Sequence, residues 1–185
     1  MFPAGSIMTT DMAYQIEPLI PALRRYGRAL VRDRTAADDL VQDCLERAIS
    51  RWHQRRSDGD TRSWIFAILH NLAMTRLNRT AKLPQHMTIE TVDENLLGVA
   101  ASQEDRLRYQ ELLSALAQLP DSERSVLLLV GVEDLSYAEA AKVLDIPIGT
   151  VMSRLSRARA RLFESVWGEA QQGGPATRMH LRRVK

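Results

Sequence analysis

The sequence predicts an all-α protein of two small helical domains, the second carrying a helix-turn-helix, joined by a flexible linker. Three observations carry this prediction. Apolar residues recur at helical spacing through most of the chain. No stretch reads as a convincing strand. The segment Lys82 to Ser102 breaks the pattern, with Pro84, Gly98, several threonines and the acids Glu90, Asp93 and Glu94. A connection of about 20 residues is exceptional inside a compact domain, so it separates two. The expected boundaries are an N-terminal extension over 1–13, a first domain over 14–80, a linker over 81–102, a second domain over 103–167 and a disordered basic tail over 168–185.

The first helix is expected over Glu17 to Arg32, where Leu19, Ile20, Leu23, Tyr26, Gly27, Leu30 and Val31 share helical spacing. Pro18 and Pro21 put its effective start near Pro21. Asp33-Arg34-Thr35 is a break, and Thr35 is expected to cap the next helix, with Asp38 three residues on. That helix runs from Ala36 to Trp52, with Val41, Cys44, Leu45, Ala48 and Trp52 on its apolar face. Asp39, Gln42, Asp43 and Glu46 project from a different side. Such a stripe is either a solvated helix face, the usual origin of a charge run, or a docking surface for a basic or polar partner.

His53 to Asp60 is a polar loop broken at Gly59. The third helix spans Thr61 to Arg79. Trp64, Ile65, Phe66, Ile68, Leu69 and Leu72 make it apolar over much of its circumference, which places it centrally in its domain. Asn71 and Thr75 lie one turn apart, and Arg62, Arg76 and Arg79 add positive charge. Aromatic and amide groups beside arginine suit an unstacked base strand. Trp64 and Phe66 at this spacing are more often core.

In the second domain, Gln103 to Leu119 forms a helix with Leu107, Leu112, Leu113, Leu116 and Leu119 facing inward, and Pro120 stops it. Asp121 is expected to cap a helix running through Val130, with Val126, Leu127 and Leu129 buried and Arg124 turned outward. Ser136 to Leu162 then reads as a short helix, a tight turn and a longer basic helix. Ser136 and Glu139 make a capping-box pattern, and Pro147 opens the second helix. At about 100° per residue, Val151, Leu155, Ala158 and Leu162 line one side, while Ser153, Arg154, Arg157 and Arg161 cluster opposite. One face can pack while the other enters a DNA major groove. An ordinary amphipathic hairpin with a solvated arginine face is the alternative.

Charge placement favours the DNA reading. The net charge is only +2. Ser136 to Arg161 nevertheless holds five bases against two acids, whereas Gln103 to Leu135 holds three bases against seven acids. Positive potential is therefore confined to the expected reading helix. The tail adds Arg178, Arg182, Arg183 and Lys185, which read as a solvated end with some capacity for phosphate contact. Catalytic patterns are absent: there is no Gly-rich phosphate loop, and the four histidines are scattered without metal-ligand spacing. No cofactor and no enzymatic activity are expected. The single cysteine, Cys44, excludes a disulfide framework within the chain. No stretch approaches the roughly 18 apolar residues of a membrane span. A cytoplasmic protein without membrane insertion is the expectation.

Taken together, ADDLVQDCLERA, SWIFAILHNLA, LPDSERSVLLL and SYAEAAKVLDIPIGTVMSRLSRARARL closely resemble the bacterial extracytoplasmic-function (ECF, group 4) RNA polymerase sigma factors of the sigma-70 family. The resemblance covers Ile16 to about Val166 in the family's order and spacing. It implies that the first domain is sigma region 2, which binds the clamp of the polymerase largest subunit and opens the minus-10 element. Asp39, Leu40, Val41, Gln42 and Asp43 match the core-binding motif, with Leu40 and Val41 anchoring the helix. Asn71 and Thr75, flanked by Arg76 and Arg79, match positions facing the minus-10 strand, and Asn78 to Leu83 corresponds to a loop that receives a flipped base. The second domain resembles region 4, which meets the polymerase flap and reads the minus-35 element. Met152, Ser153, Ser156 and Arg157 fall at reading positions, with Arg154 and Arg161 beside them. Met152 departs from the basic residue common there. The resemblance also implies a cognate anti-sigma factor. A conventional helix-turn-helix regulator would explain Ser136 to Leu162 equally well, but leaves Asp39 to Asp43 and the Trp64 helix without roles. An adaptor that mimics a sigma domain would not need an intact basic reading helix.

Overall fold

The computed structural model describes residues 11–55, 60–80 and 103–167. Among these, every regular element is helical, in agreement with the all-α prediction. Residues 11–16 are already helical, so regular structure begins inside the stretch assigned to the N-terminal extension. A 3-10 turn at Glu17–Leu19 leads into α1, Ile20–Val31, with Pro21 in its first turn. Arg32 ends α1 in the left-handed region at φ 59°, its N–H bonded to the Arg28 carbonyl at 3.0 Å.

The cap of α2, Arg34–Ser50, is Asp33 and not Thr35. Asp33 has the extended backbone an N-cap needs, and its carboxylate accepts the Ala36 N–H at 2.7 Å; Thr35 already lies within the helix. A 3-10 turn at Trp52–Gln54 follows. Helix α3, Thr61–Thr80, starts at Asp60, whose carboxylate accepts the N–H groups of Arg62 and Ser63 at 3.0 and 3.1 Å. Burial alone would raise the pKa of Asp60, but the Ser63 hydroxyl, these two N–H bonds and the Arg62 charge outweigh it and hold the carboxyl below its ordinary value.

These three helices close one core. Leu23, Tyr26 and Leu30 of α1, Leu40, Val41 and Cys44 of α2, and Ile65, Phe66 and Leu69 of α3 are all buried. Tyr26 meets Phe66 edge-on at 5.5 Å. Trp64 is half-buried and packs edge-on against Trp52 at 6.1 Å, at the margin of the core. The Cys44 thiol sits inside, and burial pushes its pKa up to about 12.

The second domain comprises α4 Gln103–Gln118, α5 Asp121–Gly131, α6 Tyr137–Leu144 and α7 Ile148–Trp167. Pro120 occupies the N-cap of α5 without a side-chain bond. Asp121 lies in the first turn and directs its carboxylate to Arg124. Arg124 does not face outward: it is 1% exposed. It donates to the Leu30 carbonyl at 3.0 Å and to the Ala117 and Leu119 carbonyls at 3.4 Å each. Helix α5 is enclosed by α1, α6 and α7, so even its polar residues Glu123, Arg124 and Ser125 are buried. The guanidinium there neutralises carbonyls at the C-terminal ends of α1 and α4. Burial lowers its pKa.

The two domains pack together, α1 on α5 and α3 on α6. One apolar core runs through both, and polar bonds also cross the seam. Arg25 gives two hydrogen bonds, 3.1 and 2.7 Å, to the carboxylate of Glu133, which is 1% exposed. Arg62 donates to the Glu133 carbonyl and Arg32 to the Ala117 carbonyl. The expected linker over 81–102 and the basic tail over 168–185 lie outside the described residues.

Candidate nucleic-acid interface

The hairpin of α6 and α7 is built by local chemistry. Ser136 accepts the Glu139 N–H at 3.2 Å, and the Glu139 carboxylate accepts the Ser136 N–H at 2.7 Å, the reciprocal pair of a capping box. Asp145 ends α6 in the left-handed region at φ 51°, and the Ile146 N–H bonds back to Ala141 at 3.1 Å. Pro147 sits one position before α7, where its carbonyl accepts the Thr150 N–H at 2.9 Å.

Val151, Leu155 and Ala158 are buried, which fixes the rotation of α7. Met152, Ser153, Ser156, Arg157 and Arg161 are consequently exposed, and Arg154 is half-buried. The structure thus brings the expected reading residues onto one helix. Two of the arginines have a support that the sequence did not reveal. Glu123 of α5, buried, lies 3.7 Å from Arg157 and 3.4 Å from Arg161. Its Oε2 has no hydrogen-bond partner, so these two cations are what balance it. The signal for this lay in an acid in the first turn of α5, ahead of its apolar run, but its partners are more than 30 residues away.

In the first domain, α2 displays Asp39, Gln42, Asp43 and Glu46 on one exposed side, with Gln42 bonded to Glu46 at 3.2 Å. Leu40 and Val41 are each 3% exposed and belong to the core. They anchor the helix in the core. On α3, Asn71, Thr75, Arg76 and Arg79 are all exposed. The Thr75 hydroxyl donates to the Asn71 carbonyl at 2.8 Å, leaving its lone pairs outward. Asn78, Arg79 and Thr80, expected in a loop, lie in the last turn of α3, where Thr80 bonds back to Arg76 at 2.7 Å. Residues 81–83 of that stretch are outside the described residues. Beneath this face His70 accepts or donates a 3.0 Å hydrogen bond with the Tyr26 hydroxyl, and burial pushes its pKa down to about 4. Among the described residues, no cluster of potential metal ligands occurs and no helix is long and apolar enough to cross a membrane.

The family model described as the Sigma2 domain of PhyR matches residues 16–70, and the one described as Sigma-70, region 4 matches residues 109–162. The ECF RNA polymerase sigma factor EcfG of Rhodopseudomonas palustris is 30% identical over 172 residues, which is 91% of this chain and 92% of that protein. The ECF RNA polymerase sigma factor SigM of Mycobacterium tuberculosis is 34% identical over 76% of this chain and 69% of its own length. Among solved structures, the sigma factor RpoE in complex with the anti-sigma factor NepR from Bartonella quintana superimposes with a TM-score of 0.72 at 29% identity, covering 84% of this chain and 96% of that one. The chain belongs to the extracytoplasmic-function sigma factors of the sigma-70 family.

Proposed function

We propose that the chain is a dissociable subunit of bacterial RNA polymerase that confers promoter recognition and starts transcription, working in the cytoplasm. The α2 face of Asp39, Gln42 and Asp43 docks on the clamp of the polymerase largest subunit, and the second domain meets the flap. Helix α3 presents Asn71, Thr75, Arg76 and Arg79 to the minus-10 strand. Helix α7 enters the major groove of the minus-35 element with Met152, Ser153, Ser156, Arg157 and Arg161, Arg154 flanking. The domain boundaries in this reading are 14–80 and 103–167, with 81–102 threading between them. The chain holds the two grips and the polymerase supplies the catalysis.

One observation carries this reading: two exposed faces of opposite sign, the acidic side of α2 and the basic side of α7, stand on separate domains of one chain. Opposite potentials suit two different partners, a protein and a nucleic acid. A helix-turn-helix regulator acting alone uses only the second. Control by an anti-sigma factor is supported by the similarity to a sigma factor solved in complex with NepR.

The test is transcription by purified core polymerase with and without the chain on a promoter library. A promoter-specific transcript that appears only with the chain is expected. Failure to bind core, or binding of palindromic duplex as a dimer without polymerase, contradicts it.

A further inference from the structure

Three large apolar side chains of α7 are exposed, and two of them, Ile148 and Met152, stand near its start. Ile148 is 48% exposed and Met152 53% exposed, one helical turn apart. The buried side of the helix is made by Val151, Leu155 and Ala158, so neither residue is needed for packing. Between them stands Gly149, where an added Cβ would meet nothing within 4 Å. The first two turns of α7 therefore expose Ile148 and Met152 together, with open space at Gly149 beside them.

The surroundings identify what that space accepts. Further along α7 stand Arg154, Arg157, Arg159 and Arg161 with no acid before Glu164, an environment that suits a polyanion, while Lys142 and Asp145 flank Ile148 itself. The leading turns of a reading helix are the ones that meet base edges. In the major groove the apolar feature of a base edge is the 5-methyl group of thymine. The neighbouring Ser153 hydroxyl donates to the Thr150 carbonyl at 3.1 Å, so it faces outward as an acceptor and adds no competing donor.

We propose that Ile148 and Met152 form a thymine-methyl reading patch, which makes this sigma factor select thymine at one or two positions of the upstream promoter element. This rests on the reading that α7 lies in the major groove of that element. A basic side chain at Met152 would instead read guanine, so the residue sets which promoters the factor uses.

The experiment uses the full chain bound to core polymerase. Promoters are selected from a library randomised over the upstream element, and each thymine in the selected element is replaced in turn by deoxyuridine, which removes only the methyl group. At one or two positions the change is expected to weaken promoter binding roughly three- to tenfold, about the effect of losing one buried methyl. The same change should leave the Met152→Ala holoenzyme unaffected, and Met152→Arg should shift selection there from thymine toward guanine. Uracil tolerated at every position, or an equal loss in the Met152→Ala holoenzyme, overturns the proposal. Arg157→Ala serves as the reference: if it leaves upstream selection unchanged, α7 is not in the groove, and the underlying placement falls with the patch.

Discussion

Helices α2 and α7 follow the same plan with opposite signs. Each buries a narrow side of small and aliphatic residues, Leu40, Val41 and Cys44 in one and Val151, Leu155 and Ala158 in the other. Each exposes a stripe dominated by one sign, Asp39, Asp43 and Glu46 in α2 and Arg157, Arg159 and Arg161 in α7. They differ in what stands behind that charge. In α2, Gln42 and Glu46 bond to each other within the exposed stripe. In α7, Arg157 and Arg161 are drawn toward a buried carboxylate, Glu123, on a neighbouring helix. A carboxylate is short and its position is set by its backbone. An arginine is long, and holding it in place costs side-chain entropy that a buried counter-ion offsets in advance. The acidic face needs a straight helix, whereas the basic face also needs a support.

The comparison breaks most severely at that support. Arg124 lies beside Glu123 in α5 and satisfies three carbonyls at the C-terminal ends of α1 and α4. Arg124→Ala is expected to destabilise the fold by about 3–5 kcal/mol, the cost of removing a partner from a buried charged network. Urea denaturation measures this, and a loss under 1 kcal/mol would mean that α5 is not the foundation described. A milder perturbation is acid. His70 is neutral in the fold, with its pKa near 4 through burial, against about 6.5 in the unfolded chain. Between those values the unfolded chain takes up the proton and the folded one does not. Stability is therefore fully present above about pH 6.5 and falls by up to about 3 kcal/mol as pH drops toward 4. His70→Phe should flatten that slope in denaturation series at several pH values.

Smaller effects separate the two faces themselves. Arg157→Ala should weaken upstream-element binding by about 1–3 kcal/mol, as loss of one arginine–base contact does, and should also lower the melting temperature, since it leaves Arg161 alone to balance the buried Glu123 carboxylate. Promoter binding in titrations of holoenzyme measures it. Asp39→Ala combined with Gln42→Ala should weaken core-polymerase binding about tenfold and change stability by less than about 0.5 kcal/mol, since both residues are exposed.

What was legible in the sequence depended on how far the cause lay along the chain. The capping box of Ser136 and Glu139 spans three residues and was found intact. The rotation of α2 and α7 follows from helical periodicity, so the exposed sets were legible too. The choice of Asp33 over Thr35 as a cap turned on backbone angles, since both residue types can cap. Arg124 was expected outside because arginine usually is; its carbonyl partner Leu30 lies 94 residues away, and nothing local marks it. The Arg25–Glu133 seam spans 108 residues and escaped for the same reason. Long-range polar pairing leaves no periodic trace, whereas burial of apolar residues does.

We propose that the two charged faces divide the work between a protein and a promoter. This division is tested most directly by measuring core affinity and promoter-specific transcription in parallel for three proteins: the parent, the Asp39→Ala, Gln42→Ala double variant, and Arg157→Ala. The double variant is expected to lose core affinity and regain its transcript when its concentration is raised. Arg157→Ala is expected to bind core like the parent while its transcript from upstream-dependent promoters stays low at every concentration. Loss of core binding in Arg157→Ala, or parental core affinity in the double variant, would contradict the division.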